Sequence, residues 1–337
     1  MTTVNGKTIE ASGRVMRLAV APHALTALLL ALMPLLLGAQ GASVNAGQNP
    51  VVTFKAAVEV VTVTAAVRDS RGRVIRDLKK TDFNVVDGGD PREIRDFYAG
   101  DSPISLAVLL DISGSMGVGG NMDRARHAVE VAMGTLRRGS DEAALFTFDS
   151  TLQEVVGFTS DLDRIRRVSL EGRPWGITSL YDAVATAART VGQRANRHRA
   201  LLVITDGVDT GSKMTASQVS GIASAIDVPV YLLTVVNPLD HPGGELAVVA
   251  SDGAATSTAT LADLARWTGG DMRIASQPAH AVAALQDLFA ELRYQYLITF
   301  EPGTRPGWHP LEIRTRNRNH VVHARSGYVA GPTRSSE

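Results

Sequence analysis

Residues 104–110 are apolar apart from Ser105, and the run ends on the carboxylate of Asp111, followed by the hydroxyls of Ser113 and Ser115. A continuous apolar run of this length reads as a strand buried on both faces, the kind found in parallel sheets covered by helices. Residues 123–138 come next, flanked and lined by Met122, Ala125, Val129, Ala132 and Leu136 at steps of three and four, an amphipathic helix. The same unit recurs. Further strand signals lie at 143–148, 200–205, 228–235 and 272–275, and helix signals at 178–190, 215–226, 260–267 and 278–294. This alternation predicts an α/β fold, a doubly wound, mostly parallel sheet with helices on both faces. Ligands of such sheets sit beyond the carboxyl ends of the strands, near a topological switch point.

Oxygen ligands on a strand-to-helix loop suit a hard divalent cation such as Mg²⁺, which takes few carboxylates and keeps open positions. One carboxylate and neutral hydroxyls would leave the ion with surplus positive charge, to be met by an anionic group from outside. Two more polar pieces follow in the chain, Gly176-Ile177-Thr178-Ser179-Leu180 and, after a second apolar run, Thr205-Asp206-Gly207. Together with Asp111, Ser113 and Ser115 they resemble the metal-ion-dependent adhesion site of the von Willebrand factor type A family, a likeness that spans roughly residues 102–294. The resemblance implies a Rossmann-like domain in which Asp111, Ser113, Ser115, Thr178 and Asp206 hold one cation. Mg²⁺ is the expected ion, Mn²⁺ and Ca²⁺ being alternatives, and Asp206 would act directly or through water. It further implies a partner protein that completes the shell with an Asp or Glu carboxylate, and no catalysis. Each piece also has a plain structural reading. Ser and Asp favour strand-to-helix caps, Thr178 is placed to cap its own helix, and Asp-Gly is a common turn pair.

Cysteine is absent, which excludes disulfides, a zinc–thiolate cluster, a thiol nucleophile and a lipid-modified cysteine anchor. Basic and acidic residues number 34 each, so no basic stripe points to nucleic acid. At the start of the chain Lys7, Arg14 and Arg17 precede an apolar run over 24–37, and small residues follow from Gly38 to Ala42. That order is the layout of a secretory signal peptide over 1–46 and predicts a secreted or periplasmic protein. The alternative is an uncleaved membrane anchor, since 18–37 approaches a spanning length. After cleavage 31 bases would face 33 acids, a net charge of −2.

Residues 47–100 read as short strands, with turns at 69–72 and 87–89 and a hairpin joining 82–88 to 93–97. Residues 296–330 carry three more strand signals, at 296–301, 311–316 and 320–324, the last followed by Ser326-Gly327-Tyr328-Val329. Neither piece is a sheet on its own. They are expected to pack together as a smaller β-sandwich-like domain into which the 101–295 domain is inserted, an arrangement analogous to that of integrin β subunits, with 331–337 a disordered tail. Asp82-Phe83-Asn84-Val85 before the central domain and Arg325-Ser326-Gly327-Tyr328 after it resemble an exported bacterial group of the same family. The Pro-, Gly-, Ala- and Ser-rich stretch 237–257 reads as a long loop, either filler or a contributor to partner binding.

Two other classes compete with a binding module. A structural scaffold would use the ion only for stability. A serine hydrolase would need a nucleophile elbow, Gly-x-Ser-x-Gly, which neither Ser113 nor Ser115 satisfies. His127 reads as a surface helix residue, and His198, among Arg194, Arg197 and Arg199, as part of an exposed basic turn. Residues 164–167 read as a solvated helix face. Asp149, Asp161, Asp163 and Asp182 are assigned to turns and first helical turns, where acids suit the helix dipole. Trp175 stands beside Thr178, exposed near the ion or packed.

Overall fold

The computed structural model describes residues 60–170, 173–237 and 260–331. The expected signal peptide, nearly all of the 237–257 loop and the 332–337 tail lie outside the described residues. The described residues open with β1 (Val61–Arg68), β2 (Phe83–Asp87), β3 (Asp90–Arg92) and β4 (Ile94–Asp101). The central region runs through β5 (Ile104–Asp111), α1 (Asn121–Thr135), β6 (Glu142–Phe148), β7 (Leu152–Thr159), α2 (Leu162–Arg166), α3 (Leu180–Gly192) and β8 (His198–Thr205). It continues with α4 (Ala216–Ala225), β9 (Val230–Val235), α5 (Leu261–Thr268), β10 (Met272–Ala275) and α6 (Pro278–Arg293). Four strands close the chain: β11 (Tyr294–Phe300), β12 (Gly307–Thr315), β13 (Val321–Ala324) and β14 (Gly327–Ala330).

The central strands form one six-stranded sheet in the order β10-β9-β8-β5-β6-β7. All neighbours are parallel except β6 and β7. Every residue of β5 is buried, because its alternating side chains face helices on both sides. Ile104, Leu106, Val108 and Leu110 pack with α1, α2 and α6, whereas Ala107 and Leu109 pack with α3, α4 and α5. Burying each such Leu or Val is worth about 1.5–3 kcal/mol. The chain winds from β5 to β6 in one direction and returns to β8 on the other side. The switch point therefore lies at the carboxyl end of β5, where Asp111 stands.

The terminal strands build two antiparallel four-stranded sheets, β13-β1-β11-β4 and β14-β12-β2-β3. Their inner faces share one core containing Val63, Val67, Phe83, Val85, Tyr296, Ile298, Phe300 and Ile313, the β-sandwich read from two incomplete halves. The hairpin differs from expectation. β2 turns back onto β3 through Gly88 and Gly89, both with positive φ as a two-residue hairpin turn requires. β4 instead crosses to the other sheet and pairs with β11. The edge strand β7 was missed because its mostly exposed or half-buried side chains give no apolar run.

Candidate functional site

Three loops meet above the carboxyl ends of β5 and β8. Asp111 is the last residue of β5, in register with Phe148 of β6, and Leu110 is in register with Ile204 of β8. Thr205 therefore stands beside Asp111, and the sheet itself brings the first and third polar pieces together. The second piece is fastened by backbone. Trp175 N donates to Ile112 O at 2.9 Å, and Gly114 N donates to Gly176 O at 3.1 Å. Thr178 O in turn accepts Thr210 N at 3.0 Å and Gly211 N at 2.9 Å. Each loop thus holds the next.

Asp111 is fully buried. Ser113 N donates to its Oδ1 at 2.8 Å, and Thr205 Oγ1 donates to its Oδ2 at 2.6 Å. Burial pushes the Asp111 carboxyl above its ordinary range; the bonds from Thr205 and Ser113 oppose this, while the like charge of Asp206 adds to it. Asp206 directly follows Thr205, whose hydroxyl is bonded to Asp111, so the two acids stand at adjacent strand ends. Asp206 carries a further mark: its Oδ1 is buried and has no hydrogen-bond partner. Leaving such an atom unpaired costs about 1–3 kcal/mol or more for a charged group. Ser113 Oγ lies 3.2 Å from Ser115 Oγ; Ser113 is buried and Ser115 exposed. Thr178 is buried at the base of its loop.

The five candidate residues offer only oxygen, two carboxylates and three hydroxyls, with one oxygen of Asp206 unpartnered and the charges of Asp111 and Asp206 alike. These features fit a hard divalent cation. Among the described residues no three His, Cys, Asp or Glu side chains gather into a metal cluster.

Several groups escaped the sequence reading. Thr205 was read only as a strand end, yet its hydroxyl joins Asp111 to the third loop by accepting Gly207 N at 3.1 Å. Gly207 permits that turn with a φ of +94°. Thr178 does not cap α3, which begins at Leu180 with Ser179 at the cap position. Its first amides are met from the third loop instead, by Asp209 Oδ1 on Leu180 N at 2.8 Å and Ser212 Oγ on Tyr181 N at 2.9 Å. The density of Asp, Thr, Gly and Ser over 206–212 was the available signal.

His198 needs correction. It is not part of an exposed turn but wholly buried at the start of β8, and burial pulls its imidazole down to about 4. The neighbouring arginines are engaged: Arg194 with Glu142 at 2.7 Å and Arg199 with Gly192 O at 2.7 Å. Arg197 lies over the Tyr98 ring. His127 is half-buried on α1 beside Glu130. Neither histidine bonds to Ser113 or Ser115, whose hydroxyls face each other. Trp175 is exposed.

Residues 106–208 match the model of the von Willebrand factor type A domain. Among solved structures, the chain is similar to an aerotolerance-related membrane protein from Bacteroides fragilis at 18% identity, over 56% of this chain and 98% of that one, with a TM-score of 0.43. A von Willebrand factor type A protein from Catenulispora acidiphila is similar at 12% identity over 82% and 75% of the two chains, TM-score 0.43. The PilB minor pilin from Streptococcus sanguinis is similar at 12% identity over 58% and 62%, TM-score 0.41. No curated protein matches the sequence.

Proposed function

We propose that this chain, whose residues 106–208 match the von Willebrand factor type A domain model, is an exported, non-enzymatic binding protein that captures a carboxylate of a partner protein through a divalent cation. Asp111, Ser113, Ser115, Thr178 and Asp206 would hold the ion, with Mg²⁺ the expected one and Mn²⁺ or Ca²⁺ as substitutes. The bound ion would supply a positive charge only partly neutralised by this ligand set. The residues' own work is to fix that charge on a rigid rim. Thr205 and the Ser113 amide orient Asp111, and the backbone bonds among the loops keep the hydroxyls in place. The observation that carries the reading is the buried, unpartnered Oδ1 of Asp206 beside the buried carboxylate of Asp111. Two close carboxylates with an orphan oxygen are costly in the absence of a cation and favourable with one. Export rests on the basic, apolar, small-residue order of 1–46. No helix among the described residues is long and apolar enough to cross a membrane.

The test has two parts. Mn²⁺ followed by electron paramagnetic resonance should bind one site on the wild type, be displaced by Mg²⁺, and be lost in Asp111→Ala and Asp206→Ala. Peptides with one fixed central Asp and randomised flanks should then be retained in Mg²⁺, released by chelator, and lost when the Asp becomes Asn. Retention that is indifferent to chelator and to Asp111→Ala would end the adhesion reading.

A further inference from the structure

Among the described residues nine large hydrophobic side chains are exposed, and four of them stand on the three loops of the candidate site. Val118 is 66% exposed, three residues after Ser115. Trp175 and Ile177 are 82% and 52% exposed, and Ile177 immediately precedes Thr178. Val208 is 54% exposed, two residues after Asp206. Every ligand-bearing loop therefore presents at least one apolar side chain to solvent. The loops are also packed against one another. The position a Cβ would take on Gly211 lies 2.6 Å from Ile177 Cδ1, which places the second loop on the third. The same position on Gly117 lies 3.8 Å from Pro174 Cβ, which places the second loop on the first. The four side chains stand on loops that pack against one another.

Scattered exposed apolar residues need no explanation, but a cluster of them marks an interaction surface. Trp is among the side chains enriched at the energetic centres of interfaces. Trp175 is the most exposed of the nine. Its backbone N–H is committed to Ile112, so the loop would keep its course with a smaller residue there.

We infer that Val118, Trp175, Ile177 and Val208 form an apolar collar that reads the residues flanking the captured carboxylate, so that the partner is a polypeptide segment in which an Asp or Glu is bordered by bulky apolar or aromatic side chains. This rests on the metal-dependent capture proposed above and adds the partner's second chemical requirement. Charge complementarity fixes the centre of the epitope, since an ion held mostly by neutral hydroxyls seeks an anion. Apolar complementarity fixes its surroundings. A partner with charged flanks would bury them against Trp175 and Ile177 unpaired, and desolvation would select against it. The collar is thus a specificity device laid around an affinity device.

The same central-Asp peptide library tests it, read by flank composition rather than by retention. With Mg²⁺ the wild type should enrich Trp, Phe, Leu, Ile and Val beside the Asp, and charged flanks should be depleted. The triple variant Val118→Ser, Trp175→Ser, Val208→Ser should keep its Mn²⁺ signal and lose that enrichment. Affinity for the best wild-type peptide should fall roughly tenfold or more, the size of a lost interface anchor. Asp-dependent, chelator-sensitive retention with no flank preference, or with the same preference in both proteins, would overturn the collar and leave the metal reading standing. Retention that ignores chelator would remove both. Sedimentation of the wild type with Mg²⁺ covers the remaining occupant: metal-dependent dimers abolished by the triple variant would assign the rim to a second copy of this chain and overturn the peptide partner.

Discussion

Two buried carboxylates, Asp111 on the rim and Glu291 near the end of α6, sit at similar depth and behave in opposite ways. Glu291 lies where α6 meets the sandwich. Its Oε2 accepts Arg68 Nε at 2.6 Å, its Oε1 accepts Tyr231 OH at 2.7 Å, and His323 Nδ1 is 3.2 Å away. Burial pushes Glu291 up, but His323, Arg68 and Tyr231 together outweigh it and hold the carboxyl at about 2. Asp111 receives two hydrogen bonds and a like-charged neighbour, and it is pushed the other way. Depth does not separate the two acids. Their surroundings do: Glu291 is met by Arg68 and His323, whereas Asp111 is met by neutral donors and by the like charge of Asp206.

The largest consequence falls on Glu291. Glu291→Ala leaves the Arg68 guanidinium and the Tyr231 hydroxyl buried without their acceptor, and breaking a buried pair in this way costs about 3–5 kcal/mol. Urea unfolding measures it, and a loss below about 1 kcal/mol would mean that the network does not tie α6 to the sandwich. The pH dependence carries the same sign. The folded carboxyl at about 2 lies below its ordinary 4.5, so its contribution is complete above pH 4.5 and is lost as pH falls toward 2. His323 is held above its ordinary 6.5 chiefly by Glu291, against the effect of burial. Its contribution is present below 6.5 and fades as pH rises through the raised folded value. Stability should therefore decline on both sides of a mildly acidic plateau, and Glu291→Gln should flatten both limbs.

At the rim the expectation reverses. Asp111 is held above its ordinary range, so in chelator its ionised form opposes folding near neutral pH. Asp111→Asn should be at least as stable as the wild type under those conditions. Mg²⁺ at about a hundred times its dissociation constant should add about 2.7 kcal/mol to the wild type and nothing to Asp111→Asn. Melting curves with and without Mg²⁺ decide it. A variant destabilised in chelator would make Asp111 a fold residue like Glu291.

Thr205 lies between these extremes. Thr205→Val keeps the shape of β8 but leaves Asp111 Oδ2 and Gly207 N without a partner, a cost of about 1–3 kcal/mol. Loss of an orienting group of this kind should also weaken Mn²⁺ binding about 10–100-fold. Unchanged Mn²⁺ affinity would show that the third loop holds its place without Thr205.

The contrast also explains what the sequence could reveal. The position of the rim was legible because a buried parallel strand writes itself as an apolar run and polar residues follow directly at the strand end, as at Asp111 and Asp206. The sandwich was legible only by subtraction, as two incomplete halves that needed each other. The Glu291 network was invisible. Arg68, Tyr231, Glu291 and His323 are separated by up to 255 positions, and no local pattern announces a contact between distant strands. His198 was misread for the same reason: a basic neighbourhood in sequence became a buried strand start once β8 paired with β5. The hairpin error was different in kind. Gly88-Gly89 specified the turn correctly, but a two-residue turn takes the nearest strand, and residues 90–92 were too short to register as one.

The smallest expected effect on stability is the most discriminating at the rim. Trp175→Ala removes the largest exposed side chain of the site loops, and with 82% of its surface in water it should shift the unfolding free energy by no more than about 0.5 kcal/mol. A buried core residue such as Leu109 would cost about 2–5 kcal/mol on the same change. A loss above about 1 kcal/mol for Trp175→Ala would mean that the indole packs against the loops and holds them up, which would place it with the Glu291 network. Neutrality leaves Trp175 without a structural role, and the rim then carries two groups that the fold does not need: an unsatisfied carboxylate and an exposed aromatic ring.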